Sequence, residues 1–278
     1  MCGRYVSVSS LDELASCFGV DEVVADPDEV PPRYNVAPTQ PVLAVASSRD
    51  GRTRRLGVLR WGLVPHWATD PKVGGARLIN ARAETVATLP AFRLPFRQRR
   101  CLIVADGYYE WRRATAGPAC VGPAGDDAGH EGRGGHDGHA GGGGHDGGGG
   151  RDGRTGRDGR PAREPYFLAP ADGRPLAFAG LWDVWYDAEG RPLRTCTIVT
   201  TAANATAGAI HDRMPVLLPA PAWARWLAPE PLTAGEQATM LAPAPEGVLE
   251  VRPVGDLVNN VRNEGPELLL SPGGSGGG

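Results

Sequence analysis

Apolar and polar positions along this chain alternate mainly with a period of two, the repeat of a half-buried strand, in short runs separated by Gly, Pro, Asn and Asp. Strands are predicted over 5–7, 42–46, 56–63, 101–111, 166–168, 176–185, 195–200 and 214–218. One early window carries the helical repeat instead. Ser10 and Glu13 are spaced as a capping box, and Leu11, Leu14 and Phe18 share a face, which predicts a helix over 10–18. Further helices are predicted within 84–97 and over 222–227 and 233–241. Strands and helices do not alternate as in a doubly wound parallel sheet, so the pattern predicts an α+β fold, mainly antiparallel β with a few short helices.

The pattern breaks between about 114 and 163, where Gly dominates with Asp, Arg and His and large apolar side chains almost vanish. Such a segment cannot offset the entropy of folding, and loop length adds only logarithmically to closure entropy. It reads as a disordered insertion in one domain spanning 1–270, with an unstructured tail over 271–278. His130, His136, His139 and His145 lie in this insertion. Their glycine surroundings supply no rigid geometry, so no metal site is expected. The glycine-rich stretch also lacks the strand-to-helix context of a phosphate-binding loop.

Without the insertion roughly 230 residues remain, enough to bury a core. No run approaches the roughly eighteen apolar residues of a membrane span, and no secretory signal pattern opens the chain, which points to the cytosol. Five cysteines without regular spacing argue against a disulfide framework, and Cys17, Cys101 and Cys196 in apolar runs read as core. The net charge of −3 offers no global attraction to nucleic acid. Residues 1–113 nevertheless hold sixteen Lys/Arg against twelve Asp/Glu, so a nucleic-acid site would be a local basic patch.

Candidate chemistry begins at the second residue. Removal of Met1 from Met1-Cys2-Gly3-Arg4-Tyr5 would leave an α-amine beside a thiol, a pair able to form an imine with an aldehyde and then close a five-membered thiazolidine ring. The only lysine is Lys72. An α-amine has a pKa near 8 against roughly 10.4 for lysine, so the terminus is the better imine-forming amine near neutral pH. Glu110 ends the run 101–111, and period two puts it on the side of Val104, Asp106 and Tyr108. It reads either as a buried acid/base with raised pKa or as an exposed strand-end carboxylate. His211, where a helical turn passes into a strand, reads as a proton donor or a cap. Asn80 and Arg82 face one way if their segment is extended, able to orient a sugar and a phosphate, or else are a turn residue and a surface ion pair.

These segments together resemble the SOS response-associated peptidase (SRAP) family, whose members include sensors of abasic sites in single-stranded DNA. The resemblance rests on Met1-Cys2-Gly3-Arg4-Tyr5, Arg33-Tyr34-Asn35-Val36-Ala37-Pro38-Thr39, Arg60-Trp61-Gly62-Leu63-Val64-Pro65, Leu78-Ile79-Asn80-Ala81-Arg82-Ala83-Glu84, Asp106-Gly107-Tyr108-Tyr109-Glu110-Trp111, Val199-Thr200-Thr201-Ala202-Ala203-Asn204, Ile210-His211-Asp212-Arg213-Met214-Pro215, and Asn260-Val261-Arg262-Asn263-Glu264-Gly265-Pro266-Glu267-Leu268. Eight motifs in order make a specific match, from which only the glycine-rich insertion departs. The resemblance implies that Cys2 is the nucleophile forming a thiazolidine crosslink with an abasic deoxyribose. It also implies that Asn80 holds cysteine and sugar, Glu110 is the acid/base, His211 stabilises the imine stage, and Thr200 lies in the same pocket. Arg4 and Arg82 would contact phosphates, and Trp67, Trp111 and Pro38 would shape the DNA path, while Trp61 is left structural. Weak lyase activity and a cysteine-peptidase alternative, in its narrowest form only the release of Met1, belong to the same resemblance, and the same basic and aromatic residues leave a passive reader of single-stranded DNA as a further alternative. It implies no metal or organic cofactor and no membrane partner, and a monomer is the default.

Overall fold

The computed structural model describes residues 2–113 and 163–273. The predicted insertion, apart from Arg163, lies outside the described residues, as do 274–278 of the predicted tail. Two sheets carry the fold. The first runs in the order β13 (Leu249–Pro253), β9 (Arg163–Pro170), β8 (Gly107–Arg113), β1 (Tyr5–Ser7), β3 (Arg33–Val36). The second runs β12 (Arg213–Pro215), β11 (Pro192–Ala202), β10 (Leu176–Tyr186), β7 (Arg100–Ala105), β4 (Pro41–Ser47), β5 (Arg54–Trp61), β2 (Glu22–Val23), with β6 (Asn80–Arg82) added on β11. β11 also pairs in parallel with β5 at Thr195↔Arg60 and Cys196↔Trp61. That pair closes β5, β4, β7, β10 and β11 into a ring. An odd-numbered ring of otherwise antiparallel strands requires one parallel pair, and this is it.

β7, in the middle of the ring, is buried on both faces, so after Arg100 it reads as a continuous apolar run instead of an alternating one. Leu102 and Val104 pack with Leu14 and Phe18 of α1 (Leu11–Phe18), Phe96 of α2 (Arg93–Gln98) and Trp226 of α4 (Ala220–Leu227). Cys101, Ile103 and Ala105 point the other way, into a cluster with Cys2, Tyr5, Tyr108 and Phe178. Helix α1 keeps its capping box, with Ser10 and Glu13 bonding each other's backbone, and ends at Gly19 in the left-handed conformation. A third cluster of Val6, Tyr109, Phe167 and Val258 covers the opposite face of the first sheet. Cys101 and Cys196 are buried as expected, whereas Cys17 is only partly so. No helix of the described residues is long and apolar enough to cross a membrane.

One prediction needs correction. The run 101–111 is two strands in different sheets, broken at Asp106 and Gly107. Asp106 accepts from Val8 N–H at 2.6 Å, Ser9 N–H at 3.0 Å and the Ser9 hydroxyl, pulling the chain out of the ring. Gly107 follows with φ +147°, where a Cβ would lie 2.3 Å from the Phe167 ring. Glu110 therefore shares a strand face with Tyr108 but not with Val104. β3, β13 and two 3-10 turns after β13 were also absent from the prediction. β3 and β13 alternate polar and apolar residues, but over only 4 and 5 positions, and they are placed by the strands they pair with.

A single guanidinium joins two helix ends. Arg100, 4% exposed, donates from Nε to Trp226 O at 2.6 Å, from Nη1 to Phe96 O at 2.7 Å and Arg97 O at 3.0 Å, and from Nη2 to Ala228 O and to Glu230 O at 2.7 Å. These carbonyls include the ones left open at the C-termini of α2 and α4. Burial first, and repulsion from Arg225 second, lower its pKa to about 10, so it remains charged at neutral pH. Arg100→Ala is expected to cost about 3–5 kcal/mol, because five carbonyls lose a charged donor at once. Arg100→Lys should recover only part of this, since an ammonium cannot reproduce the fork. Thermal melts of the two variants check both statements.

Candidate active site

Cys2 lies just ahead of β1 and is fully buried. Tyr5 and Tyr108 are direct cross-strand partners of β1 and β8, and both rings stand edge-on to Phe178, at 6.0 and 5.9 Å. Asn80 arrives from the other sheet, where β6 pairs with β11 at Ile198↔Asn80. Its Nδ2 donates to the backbone carbonyl of Cys2 at 2.9 Å, tying the terminus to the ring. Thr200, two residues along β11 from Ile198, is fully buried beside β6. Glu110, 4% exposed, follows Tyr108 on the same face of β8. His211 sits between α3 (Ala205–Gly208) and β12, which pairs with β11 at Thr200↔Pro215.

Burial pushes the Glu110 carboxyl above its ordinary pKa, held back in part by nearby positive charge. Burial likewise pushes the Cys2 thiol up, and the Glu110 charge adds to the effect. The sulfur is therefore a thiol at neutral pH, next to a carboxyl poised for proton transfer. His211 Nδ1 accepts from Arg213 N–H at 3.0 Å and also lies 2.9 Å from Asp212 Oδ1. One nitrogen cannot serve both in one protonation state. The Asp212 carboxylate is 88% exposed, so the fixed backbone donor is the stronger constraint and assigns the neutral ring its proton at Nε2.

Four buried polar atoms in this neighbourhood, Tyr5 Oη, Tyr108 Oη, Asn80 Oδ1 and Thr200 Oγ1, have no hydrogen-bond partner among the described residues. Each such atom costs about 1–3 kcal/mol, which makes this neighbourhood the candidate site.

The remaining predicted residues lie at the rim or beyond it. Arg82 is exposed on the same face of β6 as Asn80. Arg4 is half-buried, its Nη1 bonded to Asn35 Oδ1 at 2.7 Å and Val258 O at 3.0 Å and its guanidinium over the Trp111 ring at 5.7 Å. Trp111 Nε1 in turn donates to Asn259 Oδ1 at 2.7 Å. Pro38 takes the second position of the turn Ala37–Thr39–Gln40, whose Thr39 has φ +72°. Trp67 stands on a separate loop and is 51% exposed. Trp61 is core, as expected.

Three supports escaped the residue-level reading although all lie inside the quoted motifs. Asn35 Nδ2 donates to Asn260 O and Asn263 O at 3.0 Å, and Glu264 receives Arg33 and the Tyr34 N–H, so the last motif is strapped onto β3 beside Arg4. Arg213 binds Glu84 through both nitrogens, at 2.5 and 3.0 Å, and Thr200 O at 2.6 Å, joining the end of the Asn80 segment to the His211 corner. Among the described residues no three His, Cys, Asp or Glu side chains group to hold a metal.

The molecule is thus an α+β protein with a buried cysteine at position 2, held by an asparagine amide and flanked by a carboxyl of raised pKa and a histidine. The family model described as SOS response associated peptidase (SRAP) matches residues 1–123 and 155–261. The chain is 35% identical over 271 residues to the abasic site processing protein YoqW of Bacillus subtilis (strain 168), covering 98% of this chain and all of that one. It is 28% identical over 275 residues to the abasic site processing protein YedK of Escherichia coli (strain K12), covering 97% and 99%. A crystal structure of a protein from Bacteroides thetaiotaomicron superposes with a TM-score of 0.68 at 22% identity, over 97% of this chain and 99% of that one, which shows the shared fold. The chain belongs to the SRAP family.

Proposed function

We propose that this protein processes abasic sites by joining itself covalently to them in single-stranded DNA, shielding them during the response to DNA damage. The naming of its relatives as abasic site processing proteins supports the substrate. The observation that carries the chemistry is the Asn80 bond to Cys2, which holds a would-be terminal cysteine against Glu110. After removal of Met1 the α-amine of Cys2 adds to C1′ of the ring-opened sugar, and loss of one water gives an imine. The thiol then adds across the C=N bond: sulfur bonds to carbon and its proton passes to nitrogen, closing the thiazolidine. Glu110 moves protons in both steps, and His211, with its proton at Nε2, donates toward the sugar oxygen that leaves the ring carbon. Asn80 replaces a diffusional encounter by a positioned one. Arg82 and the N–H groups of Arg4 not used inside the fold contact phosphates, while Trp111, Trp67 and Pro38 line the strand's path. The imine also permits loss of the 3′ phosphate, a weak lyase activity.

A cysteine peptidase needs a thiolate, and thiolates of that kind have lowered pKa values. Burial and Glu110 act in the opposite sense on Cys2, which favours the crosslinking reading over a general cysteine peptidase. The test is the intact mass of the protein after incubation with a single-stranded oligonucleotide bearing one abasic site. The expected product is lighter by one water than protein plus DNA and is absent from a variant with an uncleavable residue ahead of Cys2. No adduct from protein confirmed to lack Met1 would overturn the proposal.

A further inference from the structure

The loop that follows β5 is caught at alternate residues by side chains of two neighbouring strands. Val64 N–H donates to Thr195 Oγ1 at 2.8 Å, His66 N–H and His66 Nδ1 both lie 2.9 Å from Asp183 Oδ2, and Trp185 Nε1 donates to Ala68 O at 2.7 Å. Thr195 and Asp183 are opposite each other in the β10–β11 register, and both are fully buried. The second oxygen of Asp183 receives Arg99 and the Val184 N–H. Residues 65–68 close a turn through Ala68 N–H to Pro65 O at 2.9 Å. Trp67 stands between the two anchored residues with half its surface in solvent. The loop stem is joined by Leu63 N–H to Leu78 O at 3.1 Å, two residues before Asn80, so Trp67 and Asn80 leave a common base.

An isolated carboxylate is expensive to bury; Arg99 and the Val184 N–H satisfy one oxygen of Asp183, and the other goes to His66, the residue before the exposed indole. A tryptophan on a free loop would lose conformational entropy on stacking against a base, whereas one already held in place loses little. We propose that His66 and Asp183 are positioning residues that preorganise Trp67 as a stacking platform for an unpaired base beside the active site. This rests on the assignment of single-stranded DNA as the substrate. Asp183 sets the turn through the His66 main chain and ring together, and His66, 42% exposed, is the member that can be changed without opening the core.

The experiment measures binding of a fluorescently labelled, undamaged single-stranded oligonucleotide by anisotropy, alongside the crosslinking rate at saturating abasic-site DNA. His66→Ala is expected to raise Kd about three- to ten-fold with an unchanged saturated rate, by restoring the ordering cost of the turn. Trp67→Ala is expected to raise Kd about ten-fold or more, the loss of one stacked base. His66→Asn, whose Nδ2 can take the place of Nδ1, restores binding to near wild type, and His66→Ala adds nothing in the Trp67→Ala background. Wild-type affinity in His66→Ala, or an equal loss with and without Trp67, overturns the positioning role while leaving DNA as the substrate. A wild-type protein that does not bind the oligonucleotide overturns the DNA assignment itself, and the platform with it.

Discussion

Without borohydride, neither Cys2→Ala nor Cys2→Ser protein freed of Met1 forms a heat-stable adduct with an abasic site, and with borohydride each of them does. Both variants keep the α-amine, so both can still make the imine, but neither has the sulfur that closes the stable ring. Borohydride reduces the imine to a secondary amine and so reports how far each variant proceeds. The substitutions are small and the remaining core is large, so Cys2→Ala should cost only about 1 kcal/mol of stability, within the usual range for a point change. Gel analysis after heating, with and without borohydride, checks both statements. A heat-stable adduct from Cys2→Ala formed without borohydride would remove the terminal cysteine from the chemistry and direct attention to Lys72, the sole amine-bearing side chain, which lies exposed in a 3-10 turn.

Glu110→Gln is expected to slow adduct formation about 10²–10⁴-fold at neutral pH, the usual contribution of a positioned proton-transfer group. The same change should stabilise the fold there. The sign follows from burial: the folded-state pKa of Glu110 is raised, so between the unfolded carboxylate value of about 4.3 and the raised value the folded protein holds more protons than the unfolded one. Wild-type stability therefore falls as pH rises through that window. Below it both states are protonated, and the glutamine variant loses its advantage. Urea denaturation of the two proteins at pH 4 and pH 7, beside the adduct rate at pH 7, tests the pairing. Equal stability at both pH values would show that the carboxyl is solvated, and an unchanged rate would remove it from catalysis.

Local signals were readable where neighbours in the chain are also neighbours in space. The Ser10–Glu13 capping box, the apolar face of α1 and the ring strands β4, β7, β10 and β11 all rest on contacts or periods within a few residues. The break at Asp106 was not readable, because it depends on Val8, Ser9 and Phe167, far away in the chain. Glu110 shows the difference. Its burial was one of two readings the sequence left open, and the face it occupies follows from its own strand β8 and not from the run before it.

By its residues alone the chain carried its family and the groups on which the proposed chemistry rests: a cysteine at position 2, a single lysine, and Asn80, Glu110 and His211 in motifs whose order matches one family. Reactivity of that kind is a property of functional groups, and functional groups are written in the sequence. What only the tertiary structure decided is how those groups are set against one another. The Asn80 amide on the Cys2 carbonyl, the burial that raises the Glu110 and Cys2 pKa values, and the Arg213 N–H that assigns the His211 proton all join residues brought together by ring closure and sheet packing or by a turn whose shape those contacts fix. The clamp of Thr195, Asp183 and Trp185 under Trp67 is of the same sort, since hydrogen bonds between strands more than a hundred residues from the loop they hold leave no period in the chain.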